Sequence, residues 1–194
     1  MTKMLRLVFA FALIVAGFAA MAAETKPFAR EDLASEAVRL AETLRKETIK
    51  IGARVAGKNN DQLLKAAATL TTASKFKDAA EQIGAAIAAA PKDPAPWLAY
   101  AHLAQAADDA KADGRYDIMS RASTAAYAAY ENAKGPALQA EALAALGNLE
   151  ARNESWRIAL DAYHASLDRK DDADVRATYE DLREKHGFRI LDYK

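Results

Sequence analysis

Three histidines, two acidic clusters and one tripeptide are the groups in this sequence whose types and spacing suggest chemistry. His164 follows Asp161 by three residues and precedes Asp168 by four, so one helix face would carry an imidazole between two carboxylates, a donor set for a divalent metal. The same spacing describes a solvated helix face with i, i+4 ion pairs, and that is the preferred reading. His186 falls in the last turn of a helix, where a cation offsets the dipole. His102 falls mid-helix, where lining a groove or packing is expected rather than proton transfer. Asp108-Asp109 and Asp171-Asp172-Ala173-Asp174 lack the alternating oxygen ligands, the sixth-place Gly and the closing Glu of a calcium loop, and read as helix caps and charged turns. Asn153-Glu154-Ser155 has the form of a glycosylation acceptor, a short and weak match. With no cysteine, thiolate metal sites, disulfides and Cys nucleophiles are excluded. No glycine-rich phosphate loop, H-E-x-x-H or G-x-S-x-G stands anywhere in the chain. The sequence therefore assigns no catalytic, cofactor-binding or metal-binding residue, no cofactor and no enzyme activity.

The elements that would position these side chains are helical. Hydrophobic residues make up 52% of the 194, much of that alanine, and aromatics only 8%. Alanine is the best helix former and the smallest core residue, so closely stacked helices are favoured. Lys+Arg and Asp+Glu both number 27, which excludes the charge excess of a nucleic-acid or anionic-membrane binder.

Residues 1–23 read as a secretory leader. Lys3 and Arg6 form a basic start, Leu7 to Phe18 an apolar run, and Ala20-Met21-Ala22 a small-residue cleavage site. The apolar run is shorter than the roughly 20 residues of a membrane span. Cleavage rather than retention is expected, with no membrane span thereafter and a periplasmic location in a Gram-negative envelope.

Beyond the leader, Leu33, Ala37, Leu40 and Leu44 mark one face of a helix from Arg30 to about Lys50, broken by Gly52, Gly57 and Lys58-Asn59-Asn60. Residues 24–59 are expected to cap the open end of a helical array. From Asn60 to Gly187 the pattern repeats. Leu63, Ala67 and Leu70 stripe a first helix; Ala79, Ile83 and Ala86 lie on a second, from Phe76 to Ala90. Asp93 and Pro94 then form an N-cap and first helical residue ahead of Trp97. Leu143, Leu146-Gly147, Ala159, Tyr163 and Ser166 follow the order of large, small and aromatic positions of the 34-residue helix–turn–helix repeat. This stretch, with Ala90-Pro91-Lys92-Asp93-Pro94-Ala95-Pro96-Trp97 before it, resembles a tetratricopeptide repeat. Starts at Asn60, Pro94, Ala140 and Asp174 imply twelve extra residues in the turn of the second repeat. That turn, Asp108 to Asp117, is expected to be mobile for want of apolar anchors, with one helix from Ile118 to Ala133 after it. Phe188 to Tyr193 is aromatic and β-branched and reads as a short strand (188–194) opening a further domain.

The string Asp174 to Tyr193 (DVRATYEDLREKHGFRILDY), with the leader and the Ser35–Leu40 helix (SEAVRL), resembles the leading region of bacterial alpha-2-macroglobulin-like proteins, in which a helical repeat module precedes many β-sandwich domains. The resemblance implies an exported protein-interaction module within a protease-inhibitor protein. The family's C-x-E-Q thioester has no counterpart here, so no functional residue carries over. The competing expectation is a free-standing periplasmic scaffold for cell-envelope machinery. In either, the first helices of the pairs line a concave groove for a protein or peptide partner. Leu98, His102, Gln105, Asn148, Arg152 and Lys185 are its candidate binding residues, with Leu64, Ala68, Ala144 and Leu182 beside them. Apolar Leu64, Leu98 and Ala144 stand where a carboxylate-clamping groove carries lysines, which argues against that mode.

Overall fold

A computed structural model describes residues 27–52 and 55–187, and those residues are all-helical, with no strand among them. The leader and the strand-like tail at 188–194 lie outside the described residues. The helices are α1 (Glu31–Lys50), α2 (Asn60–Thr72), α3 (Phe76–Ala89), α4 (Pro94–Asp109), α5 (Arg115–Met119), α6 (Ala122–Asn132), α7 (Pro136–Arg152), α8 (Trp156–Leu167) and α9 (Ala173–His186).

Local sequence sets most of the starts. Asn59 accepts from the Gln62 amide at 2.9 Å while the Gln62 side chain accepts from the Asn59 amide at 3.0 Å, a reciprocal cap for α2. Asp93 accepts from the Ala95 amide at 3.1 Å, and Pro94, which has no amide hydrogen to satisfy, is the first residue of α4. Asp172 caps α9 through the amides of Asp174 and Val175. α7 starts at Pro136, a full turn before the expected Ala140. The first helices consequently begin at residues 60, 94, 136 and 173 rather than 60, 94, 140 and 174.

A recurrence not legible as a sequence motif lies at the ends of α2, α4 and α7. Among the described residues, Ser74, Lys111 and Glu154 are the non-glycine residues with positive φ, at 56°, 50° and 58°. Beyond each, one amide reaches back to the helix: Lys75 to the Leu70 carbonyl at 2.8 Å, Ala112 to Ala107 at 2.9 Å, Ser155 to Glu150 at 2.9 Å. These are three copies of one helix-terminating turn, each tolerating a left-handed residue that usually is glycine. After the first and third copies the partner helix starts at once, at Phe76 and Trp156. After the second, residues 113–121 intervene before Ala122. The extra residues thus follow the turn instead of enlarging it, and they split the expected Ile118–Ala133 helix into α5 and α6.

Part of the stretch expected to be mobile, Asp108 to Asp117, is anchored, since Ala112 packs against the main core, and the inserted residues beyond it are held as well. Ile118 is buried in the main core, Arg115 lies 3.5 Å from Asp108, and Arg121 is held by Glu47. Amide exchange should therefore be slow at Ser120 and Arg121, whose amides bond to Tyr116 and Ile118 carbonyls, and fast only across Asp113-Gly114. Uniformly fast exchange through residue 121 would contradict this anchoring.

Along the array α2 packs on α3, α3 on α4, α4 on α6, α6 on α7, α7 on α8 and α8 on α9. The first helices α2, α4 and α7 also touch in sequence. Ala79, Ala125 and Ala159, each fully buried on a second helix, keep the helix spacing small. α1 does not cap the open end. It lies over the second helices, packed on α3 and α6. A strap leading into it is pinned to α6: the Phe28 amide donates to the Tyr130 hydroxyl and the Arg30 amide to the Tyr127 hydroxyl, both at 3.0 Å. Its buried face, Leu40 and Leu44, satisfies an amphipathic helix equally well on either surface, so the pattern alone could not place it.

Candidate functional site

The face made by the first helices divides into a closed seam and an open groove. Between α4 and α7, three side-chain rungs cross. His102 Nε2 lies 3.4 Å from Glu141 Oε1, Gln105 Nε2 donates to the Ala145 carbonyl at 3.3 Å, and Arg152 Nη1 meets Asp108 at 3.0 Å and Asp109 at 2.8 Å. Between α2 and α4 a polar link stands at the helix starts, where Asn60 Nδ2 donates to the α4 cap Asp93 at 3.5 Å, and no rung crosses farther along among the described residues. A cavity of about 370 Å³ remains there, lined by Leu64, Ala68, Thr71, Ala99, His102 and Ala106 among others. Its walls are almost wholly aliphatic, which suits apolar side chains of a peptide or helix.

The six candidate residues are thus not brought together. His102 alone lines the open groove. Gln105 and Arg152 are consumed in the α4–α7 seam. Asn148 accepts the Tyr163 hydroxyl at 2.6 Å, so it serves the packing of α8 rather than a ligand. Leu98 is buried in the main core at 7% exposure, and Lys185 pairs with Asp181 along α9 at 2.8 Å. Leu182, read as groove-lining, is buried with Ala159, Leu160 and Tyr163. Leu64 and Ala68 do line the groove; Thr71, Ala99 and Ala106 were missed. Their signal was the three- and four-residue spacing from Ala68 and His102, readable once α2 and α4 are known to adjoin.

Arg152 was expected to be a free surface cation; its guanidinium instead faces two carboxylates of α4. Arg152→Ala should therefore lower stability by about 1 kcal/mol, the upper range for a half-exposed pair, because Asp109 loses its partner at the end of α4 and Asp108 keeps only Arg115, 3.5 Å away. Urea unfolding checks it. The Asp108→Ala background should shrink the effect, since the two changes share one interaction.

The acid–histidine clusters do not assemble into a metal centre. His164 Nδ1 stands 3.3 Å from Asp168, a surface pair, and its ring lies beside Tyr179. His186 stacks on Trp156 at 4.0 Å with the rings 6° from parallel, closing the end of α9 onto the start of α8. Among the described residues no three His, Asp or Glu side chains are placed to share an ion.

A second concavity, of about 470 Å³, opens on the opposite side, where α1, α3 and the inserted α5 meet. Leu44, Ala80, Gly84 and Ile118 line it with Tyr100, which is buried at 2% exposure. Burial pushes the Tyr100 hydroxyl up to about 12, with neighbouring Arg121 pulling the other way. Arg121 forms a two-pronged bond to Glu47, both contacts 3.0 Å, joining α1 to the α5–α6 junction. No sequence signal pointed to this site, because it depends on where α1 lands.

Comparison of the chain with protein-family models, with curated proteins and with solved structures found no match.

Proposed function

We propose that this chain is an exported, tetratricopeptide-like protein-interaction module whose partner occupies the α2–α4 groove. The observation that carries the reading is the threefold turn at Ser74, Lys111 and Glu154, which makes α2, α4 and α7 equivalent first helices set side by side. In repeat arrays that face is the one left for a ligand. The groove favours an apolar segment over a peptide carboxylate, since no Lys or Arg lines it and Arg152 is spent on Asp108 and Asp109. Export is supported by Lys3, Arg6, the apolar run to Phe18 and Ala20-Met21-Ala22. The string from Asp174 to Tyr193 supports placement at the head of an alpha-2-macroglobulin-like protease-inhibitor protein, and β-sandwich domains with C-x-E-Q encoded downstream of Lys194 would test that placement.

A photo-reactive residue at Ala68 or Ala99, in the protein expressed with its own leader in a Gram-negative host, tests the binding reading. One discrete adduct from both positions in the periplasmic fraction is expected, with none from Glu42 on the exposed side of α1. Adducts from Glu42 alone, or a chain that keeps Met1 in the cytoplasm, would contradict it.

A further inference from the structure

We propose that the cavity between α1, α3 and α5 binds an anionic amphiphile, a medium-chain carboxylate with its tail on the cavity floor and its head at Lys50 and Lys77. The site lies on the other side of the array from the α2–α4 groove and does not depend on that groove having a partner.

The first observation is the size and character of the space. About 470 Å³ is the volume of a small-molecule site, and the floor of Leu44, Ala80, Ile118 and the Tyr100 ring is apolar. Besides α3 and Tyr100, its lining comes from elements the repeat does not supply: α1, and the residues inserted after Ala112. A helix that merely covered α3 and α6 would be expected to fill the space with side chains. Here Leu44 packs closely over Gly84, where a Cβ would stand 3.0 Å from its Cδ2, and the facing position of α3 left short beside it is Ala80.

The second observation is the charge left over at the mouth. Glu47 and Arg121 neutralise one another through both oxygens, and Glu81 is already engaged. Lys50 and Lys77 are exposed and carry no ion pair among the described residues. They come from the end of α1 and the start of α3, so two flexible ammonium groups border one apolar hollow. Asp117, the remaining acid, belongs to α5 and directs an anionic head toward the lysines instead. An apolar floor with cations at its rim matches a carboxylate on a hydrocarbon chain.

Decanoate is the probe, titrated calorimetrically into the full chain. The leader is common to every variant, so differences between variants report the cavity. One decanoate should bind per chain at this site. Affinity should rise roughly fourfold per methylene from hexanoate to decanoate, the increment for burying one methylene. Lys50→Glu with Lys77→Glu, both surface changes, should weaken decanoate at least tenfold. Ala80→Phe should abolish binding by filling the floor. Ala99→Arg, in the α2–α4 groove, should leave it unchanged, which separates this site from the proposed protein-binding face. Equal affinity for decanol and decanoate, no loss in the double lysine variant, or loss only in Ala99→Arg would each overturn the proposal.

Discussion

Tyr163→Ala should destabilise the protein by about 3–5 kcal/mol, the cost of removing a large buried aromatic side chain. Tyr163 is 1% exposed and lies across Gly147; a Cβ built on Gly147 would stand 2.7 Å from its ring. Helices α7 and α8 approach this closely because position 147 has no side chain, and the ring fills the space so created. Its hydroxyl donates to Asn148, tying the same two helices. Against the roughly 5–15 kcal/mol of a whole domain, the loss is large, and the melting temperature should fall by roughly 6–20 °C. Tyr163→Phe should cost only about 1 kcal/mol, since half-exposed Asn148 can turn to water. Gly147→Ala should cost about 1–3 kcal/mol by overpacking, and much less once Tyr163 is already alanine. Additive losses in the double variant would mean that the ring does not rest on position 147.

The same ring gives a pH dependence with a definite sign. Burial holds the Tyr163 hydroxyl up to about 12, against 10.0 for a free tyrosine, and Tyr100 behaves alike. The folded state therefore keeps a proton that the unfolded state releases. The stability linked to these protons is complete below pH 10 and is lost as pH rises from 10 toward 12. Unfolding midpoints in urea should fall across that interval, and by less in Tyr163→Phe.

The second large effect is expected at Trp97. It is 1% exposed, and its indole nitrogen donates to the Pro91 carbonyl at 2.8 Å, fastening the start of α4 to the turn that ends α3. Trp97→Ala should again cost about 3–5 kcal/mol. Trp97→Phe keeps most of the apolar volume and loses the hydrogen bond, so about 1–2 kcal/mol is expected; the exposed Pro91 carbonyl can then take a water. If the two variants lost equal stability, the hydrogen bond rather than the packing would be the dominant contribution.

These positions were legible before the structure because their signals are local. Asp93-Pro94 and the Gly147–Ala159–Tyr163 spacing are short-range statements about caps and helix crossings, and the structure places them as expected. What sequence could not supply was pairing between distant elements. Arg152 looks like a free groove cation until Asp108 and Asp109, more than forty residues away, are seen opposite it. The left-handed turns escaped notice because Ser74, Lys111 and Glu154 are not the glycine that usually marks them. The place of α1 escaped because an apolar stripe says that a helix is covered, not by what. Both concavities depend on such pairings, so neither was located in advance.

The most direct test of the binding role is calorimetry with the partner captured from Ala68 and Ala99, comparing the unmodified chain with Ala99→Arg. Arginine at that half-buried position would fill the α2–α4 groove without touching the Arg152 seam or the Tyr163 core. The expected result is at least tenfold weaker binding at an unchanged melting temperature, with Lys50→Glu/Lys77→Glu binding like the unmodified chain. Undiminished binding by Ala99→Arg, with the fold intact, would show that the groove between the first helices is not where the partner sits.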